Sequence, residues 1–299
     1  VSGQVRWGAL GAALGAAGCL ATPTPLAPGL AGSVGVPHHG VLTGAVELPA
    51  RGPGFVRYRP RGANHWGLPR LVSAVERAAA AVDRELPGGA PLVVGDLSAR
   101  HGGRLPGHRS HRTGRDADLL FYVTTPGGAP LRSPGFVAFG PDGLAAVPNG
   151  KDFLRVDLER NWRLVRALVT DELAATQWLF VSRDLEAMLI DYALARGEPL
   201  AVVWHAEAVM LQPSDSTPHD DHFHLRVACT AAEAVTGCEG GGPQWEWLAP
   251  LPLLPGLSPA ELSAIGEADP PPGPPPPLPL EPAAGAPPAT PRPGAERGA

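Results

Sequence analysis

The feature that most constrains this chain is the alternation in HFHLRV, His222 to Val227. Apolar and polar side chains exchange with a period of two, the pattern of a strand with one face in a core. Phe223, Leu225 and Val227 therefore belong to the apolar side. His222, His224 and Arg226 belong to the other, with same-face neighbours about 6.6 to 6.8 Å apart. A chain built on this strand needs a sheet with a buried face, and it sets two imidazoles side by side on the opposite face. An HxH pair alone is most often an exposed strand face that happens to carry histidines.

A second block changes that balance. HRTGRDAD places His111 seven residues before Asp118, at the junction of the segment LSARHGGRLPGHRSHRTGRD with the strand pattern ADLLFYV. The segment is rich in Gly, Arg and His without periodicity and reads as a long surface loop, a kind that is usually functional in a compact domain. Two histidines and one carboxylate are a recurrent ligand set for catalytic zinc, because three protein ligands leave the fourth tetrahedral position to water. The pKa of that water falls to about 7. A structural zinc site would use cysteine, and the chain has 3 Cys.

Those cysteines point to export. The start, VSGQVRWGALGAALGAAGCLATPTP, has Arg6, an apolar run and then small residues, the layout of a signal peptide over residues 1–21. AAGC also resembles a lipoprotein processing box with Cys19 as a lipid anchor, so plain cleavage and lipidation both stay open. Either leaves Cys229 and Cys238, a pair able to form a disulfide in an oxidising compartment; two free thiols are the alternative.

Gly (38) and Pro (37) gather toward the two ends of the 299 residues, so the folded part is shorter than the chain. Residues 22–50 read as a linker, 51–250 as the folded domain, and 251–299 as a Pro-rich tail with too little apolar surface to fold. Within the domain, GFVRYRP, PLVVGD, ADLLFYV and WLFVS read as strands. Leu68 to Leu86, DLERNWRLVRALVTDELAAT and RDLEAMLIDYALARG read as amphipathic helices. The net charge of −5, with no basic cluster, leaves no footprint for nucleic acid.

GDLSARHGGRLPGHRSHRTGRDADLLFYV followed by HDDHFHLRVAC resembles the penicillin-insensitive murein endopeptidases. These are periplasmic zinc peptidases of the wider group that includes lysostaphin-type enzymes, D-Ala-D-Ala carboxypeptidases and the N-terminal domain of hedgehog proteins. The likeness, which takes in DLERNWRLVRAL, covers roughly Val56 to Leu248. It implies an α+β fold in which an antiparallel sheet carries the zinc site and helices pack around it. It implies that His111, Asp118 and His224 bind Zn2+, and that His222 is a catalytic neighbour that does not. His108 and His219 match further family histidines that line the site. Asp116, alternating with Asp118, is placed to polarise a ligand histidine from behind.

The implied substrate is the stem peptide of peptidoglycan, cut at the D-alanyl to meso-diaminopimelyl cross-link, in the periplasm or cell envelope. Without a serine acyl-enzyme, β-lactams have nothing to acylate. The rivals are a D-Ala-D-Ala carboxypeptidase or dipeptidase of the same superfamily, and a cell-wall binding protein without catalysis. Family members carry more cysteines near the C-terminus than this chain does. Asp220 and Asp221 read as solvated or loop-capping, and His38, His39, His65, His101 and His205 have no partner spacing. Trp204, Trp245 and Trp247 read as packing residues.

Overall fold

The computed structural model describes residues 32–147, 152–214, 216–240 and 242–251. The expected signal segment, Cys19 and the Pro-rich tail beyond residue 251 lie outside the described residues. Among the described residues no helix is long and apolar enough to cross a membrane.

The centre is a seven-stranded sheet. Its order is Met210–Leu211, Thr176–Phe180, His222–Val227, Asp116–Leu120, Leu92–Val94, Phe55–Arg57, Arg51–Gly52. His222–Val227 runs antiparallel to both its neighbours, in the register Phe180↔His224↔Asp118 and Trp178↔Arg226↔Asp116. Phe223, Leu225 and Val227 are fully buried, each contributing roughly 1.5–3 kcal/mol over an exposed position. A slip of one residue would drive His222, His224 and Arg226 into that core, so the register is strongly specified.

The sheet is mixed, which corrects the expectation of a wholly antiparallel one. Phe55–Arg57 pairs parallel with Leu92–Val94, and Thr176–Phe180 with Met210–Leu211. Parallel neighbours need a crossover, and helices supply both. Pro69–Glu85 bridges the first pair, while Arg183–Ala195 and Leu200–Val209 bridge the second. The pairs that carry the histidines and aspartates are antiparallel, as expected.

Pro69–Glu85 starts with a proline, which suits a position whose N–H needs no partner. It buries Leu71, Val72, Val75, Ala78, Ala79 and Val82 along one stripe. Leu158–Val169 packs beside it, capped by the Asp157 side chain accepting from the Arg160 N–H at 3.1 Å and burying Trp162, Leu164, Val165 and Leu168.

Three parts depart from the sequence reading. The supposed linker 22–50 contains an antiparallel hairpin, Gly32–Val36 with His39–Thr43, whose Leu42 is buried in the core. A four-stranded sheet orders Pro130–Leu131, Val123–Thr124, Phe153–Val156 and Leu144–Ala146. Leu200–Val209 is a helix with little apolar contrast around its circumference, so no period of 3.6 marks it.

Cys229 and Cys238 are joined in a disulfide. Beside it, the fully buried Arg115 donates from one guanidinium nitrogen to the Glu239 and Gly240 carbonyls at 2.7 and 3.1 Å. The chain that leaves the histidine strand is thus tied back to the residue preceding Asp116.

Candidate metal centre

Asp118 is the hub of the site. It is buried, and its oxygens face a nitrogen from each of four histidines. His111 Nε2 lies 3.1 Å and His222 Nε2 3.3 Å from Oδ1, His224 Nδ1 lies 3.8 Å from Oδ1, and His108 Nδ1 lies 3.8 Å from Oδ2. His219 completes the cluster, its ring centroid 5.1 Å from that of His222 and 5.4 Å from that of His224. Gly95 makes room for this crowding. A Cβ there would sit 3.0 Å from Asp118 Cβ and 3.0 Å from Phe136 Cζ.

Each ring is held by its outward nitrogen. His111 Nδ1 donates to the Leu97 carbonyl at 2.7 Å, and His224 Nε2 to Asp116 Oδ1 at 2.9 Å. His222 Nδ1 donates to Asp221 Oδ1 at 2.5 Å, His219 Nδ1 to the Thr217 carbonyl at 2.8 Å, and His108 Nε2 to Asp96 Oδ2 at 3.1 Å. A proton fixed on the outer nitrogen leaves the inner one with a lone pair, the arrangement that prepares imidazole to bind a metal. Asp116 does more than hold His224. Its Oδ1 also accepts from Arg226 Nε at 2.7 Å, and its Oδ2 from the His111 backbone N–H at 3.2 Å.

The residues present fit a cation. Both Asp118 oxygens and His111 Nε2 are buried yet take no hydrogen bond of acceptable geometry among the described residues, although native interiors rarely leave such atoms unpartnered. Two groups bring their ligand atoms within 4.8 Å of one another: His219, His222 and His224, and His108, His111 and Asp118. The set expected from the sequence, His111, Asp118 and His224, draws on both groups and meets at Asp118.

The site's electrostatics follow from burial and the carboxylates. Burial depresses His222, but Asp118 and Asp221 outweigh it and raise the ring to about 9. For His224 burial prevails and lowers it to about 3, so this imidazole is neutral. His111 is raised, its burial outweighed by Asp118. Burial opposes ionisation of Asp118, but His111 and His222 hold it well below the usual carboxylate range. Asp116 is likewise held low, its burial outweighed by Arg226 and His224.

Backbone strain is concentrated here as well. His111 and His219 adopt φ of 63° and 57°, left-handed conformations that cost non-glycine residues roughly 1–3 kcal/mol. The Asp116 carboxylate holds the first through its N–H, and the Ser182 N–H donates to the carbonyl of the second at 3.0 Å. The cluster opens into a cleft of about 1170 Å³ whose lining includes His38, Phe136, Trp178, Phe180, Arg112 and Arg226.

Every residue expected at the site from the sequence therefore lies in it. Asp221, read as solvated or capping, is instead the partner of His222, while Asp220 offers its carbonyl to the Phe139 N–H at 2.9 Å. The sequence pattern does not single out Asp96 or His38, although both line the cleft. Asp96 ends the Leu92–Val94 strand pattern, a signal that was present in VVGD. His38, set aside for want of a partner spacing, reaches the cleft through a hairpin that no strong pattern announced. Trp245 and Trp247 do pack, stacked with centroids 5.1 Å apart, whereas Trp204 is 63% exposed.

Two comparisons with known proteins return the same family description. Residues 33–133 match the family model described as penicillin-insensitive murein endopeptidase. That stretch includes His108, His111, Asp116 and Asp118 and ends before the histidine strand. A penicillin-insensitive murein endopeptidase of Haemophilus influenzae is 29% identical over 233 residues, covering 74% of this chain and 71% of its own. One from Klebsiella pneumoniae subsp. pneumoniae is 36% identical over 121 residues, 38% of this chain and 43% of its own. One from Escherichia coli is 32% identical over 97 residues, 32% and 35% of the two chains. The chain thus spans less than half the length of the latter two relatives. In motif and by both comparisons, the chain is similar to the penicillin-insensitive murein endopeptidases.

Proposed function

We propose that the chain is a zinc-dependent peptidase of the periplasm or cell envelope that opens D-alanyl to meso-diaminopimelyl cross-links in peptidoglycan. His111, Asp118 and His224 hold the metal. The observation that carries this reading is the buried Asp118 carboxylate, whose oxygens take no hydrogen bond of acceptable geometry among the described residues, with His111 Nε2 and His224 Nδ1 turned toward it. These two rings are buried, and their opposite nitrogens are fixed by the Leu97 carbonyl and Asp116. Zinc bound there supplies Lewis acidity for the scissile carbonyl and makes water available as a nucleophile near neutral pH.

His222 is assigned the proton. It shares a sheet face with His224 but is more open to the cleft, and Asp221 on Nδ1 stabilises its charged form. With the Asp118 charge taken up by a bound metal, the ring would lose the main influence that raises it, leaving Nε2 able to take the proton of the attacking water as a general base and to return it to the leaving amine as a general acid. His108 and His219 line the site, the first with Nδ1 3.8 Å from Asp118 Oδ2 and the second packed against the rings of His222 and His224.

The cleft volume of about 1170 Å³ exceeds the usual range of small-ligand pockets. That favours an extended cross-linked peptide over the trimming of one terminal residue by a carboxypeptidase. The same reading includes export through residues 1–21 and indifference to β-lactams, because no serine is acylated. The test is zinc content per chain in His111→Ala, Asp118→Ala and His224→Ala beside the parent protein. Each change is expected to empty or weaken the site; a full complement of zinc in His224→Ala overturns the ligand assignment.

A further inference from the structure

Resting on that reading, we infer that Arg226 forms a carboxylate-binding subsite beside the metal centre and selects peptides with a free carboxylate next to the scissile amide. The row Trp178, Arg226, Asp116 lies one same-face step from the row Phe180, His224, Asp118. Arg226 is therefore about 6.6–6.8 Å along the strand from His224. That short span suits a carboxylate on the residue that supplies the scissile nitrogen.

The guanidinium is fixed on two sides. Its Nε donates to the fully buried Asp116 at 2.7 Å, and its Cζ lies 5.2 Å from the Phe180 ring centroid. Its two terminal amino groups take no partner among the described residues, and the side chain lines the cleft. A simple counter-ion for Asp116 would engage that carboxylate through the fork, the stronger geometry. Here a single edge nitrogen makes the contact. Two parallel N–H groups remain for an incoming carboxylate, in an orientation already set, so little freedom is lost on binding.

Two peptide carboxylates have this chemistry: the one on the carbon next to the scissile nitrogen, and the C-terminal one farther along the same stem. The experiment measures kcat/KM of the zinc-loaded full chain on three cross-linked muropeptide dimers. One has both carboxylates free, one is amidated next to the scissile nitrogen, and one is amidated at the C-terminus. Losing the charge-assisted pair is expected to lower kcat/KM roughly 10- to 100-fold on one amidated dimer, which identifies the source. In Arg226→Gln, and in Arg226→Lys, which keeps the charge without the fork, the preference is expected to fall toward unity when each variant is measured zinc-loaded. The readout is a ratio within one protein, so a general loss of activity does not imitate it, and the parent's own ratio stands if either variant fails to fold. Equal rates of the parent on all three dimers, or a preference that survives in both variants, overturns the inference alone. Failure of the zinc-loaded parent to cut any dimer overturns the peptidase reading and the inference with it.

Discussion

Asp116→Asn isolates the role of the carboxylate behind the proposed metal ligands. In the parent, Oδ1 accepts from His224 Nε2 at 2.9 Å and Arg226 Nε at 2.7 Å, while Oδ2 accepts from the His111 N–H at 3.2 Å. All three partners are donors. An amide has one oxygen, so whichever way it turns, its NH2 faces either the His224 and Arg226 pair or the His111 backbone. One buried donor at least is then opposed, which costs about 1–3 kcal/mol. The upper range for a broken buried ion pair, about 3–5 kcal/mol, does not apply, because Arg226 lines the cleft and reaches water. Zinc affinity is the sharper readout, since removing such a supporting hydrogen bond typically weakens a metal 10- to 100-fold, or about 1.4–2.8 kcal/mol. Competition with a fluorescent chelator measures it, and thermal unfolding of the metal-free protein reports the fold separately. Unchanged zinc affinity in a folded Asp116→Asn protein would refute the idea that Asp116 orients His224 for the metal.

Other outcomes follow from the same geometry. His222→Ala is expected to keep its zinc and lose about 10²–10⁴ in rate; loss of zinc with activity would make His222 a ligand instead. Zinc must displace a proton from His111, whose pKa is raised in the metal-free protein, whereas His224, lowered to about 3, is already neutral. Affinity should therefore be full above the raised His111 pKa and weaken as pH falls through it, by about tenfold per pH unit for the proton displaced; a pH-independent constant between pH 5 and 8 would contradict this. Reducing the Cys229–Cys238 bond, whose sequence separation is 9, is expected to lower stability by about 2 to 3 kcal/mol. Turnover at low temperature should persist, so an unchanged melting temperature in reductant would count against a stabilising role.

Much of the site was legible because strand alternation is a strong local signal. HFHLRV assigns its own faces, and the family resemblance carried by HRTGRDAD and HDDHFHLRV implies His111, Asp118 and His224 as a ligand set before any fold is known. The partners of those residues were harder to see. Asp221 lies next to His222 in sequence, yet only the turn into the strand brings its carboxylate to Nδ1. The carbonyls of Leu97 and Thr217 that fix His111 and His219 belong to the backbone and carry no residue signature. The hairpin at 32–43, short and rich in Gly and Val, looks like linker in the sequence because Leu42 packs into a core built by distant segments. The parallel pairs went unseen for a related reason, since strand direction depends on the helices that cross between them.

The most direct test of the central claim is incubation of the purified chain, metal-free and zinc-loaded, with cross-linked muropeptide dimers, the products being identified by mass. The account predicts that only the zinc-loaded protein converts dimers to monomers, adding one water per cut at the D-alanyl to diaminopimelyl amide. Intact dimers after incubation with the zinc-loaded protein, or equal cleavage by the metal-free protein, would contradict it.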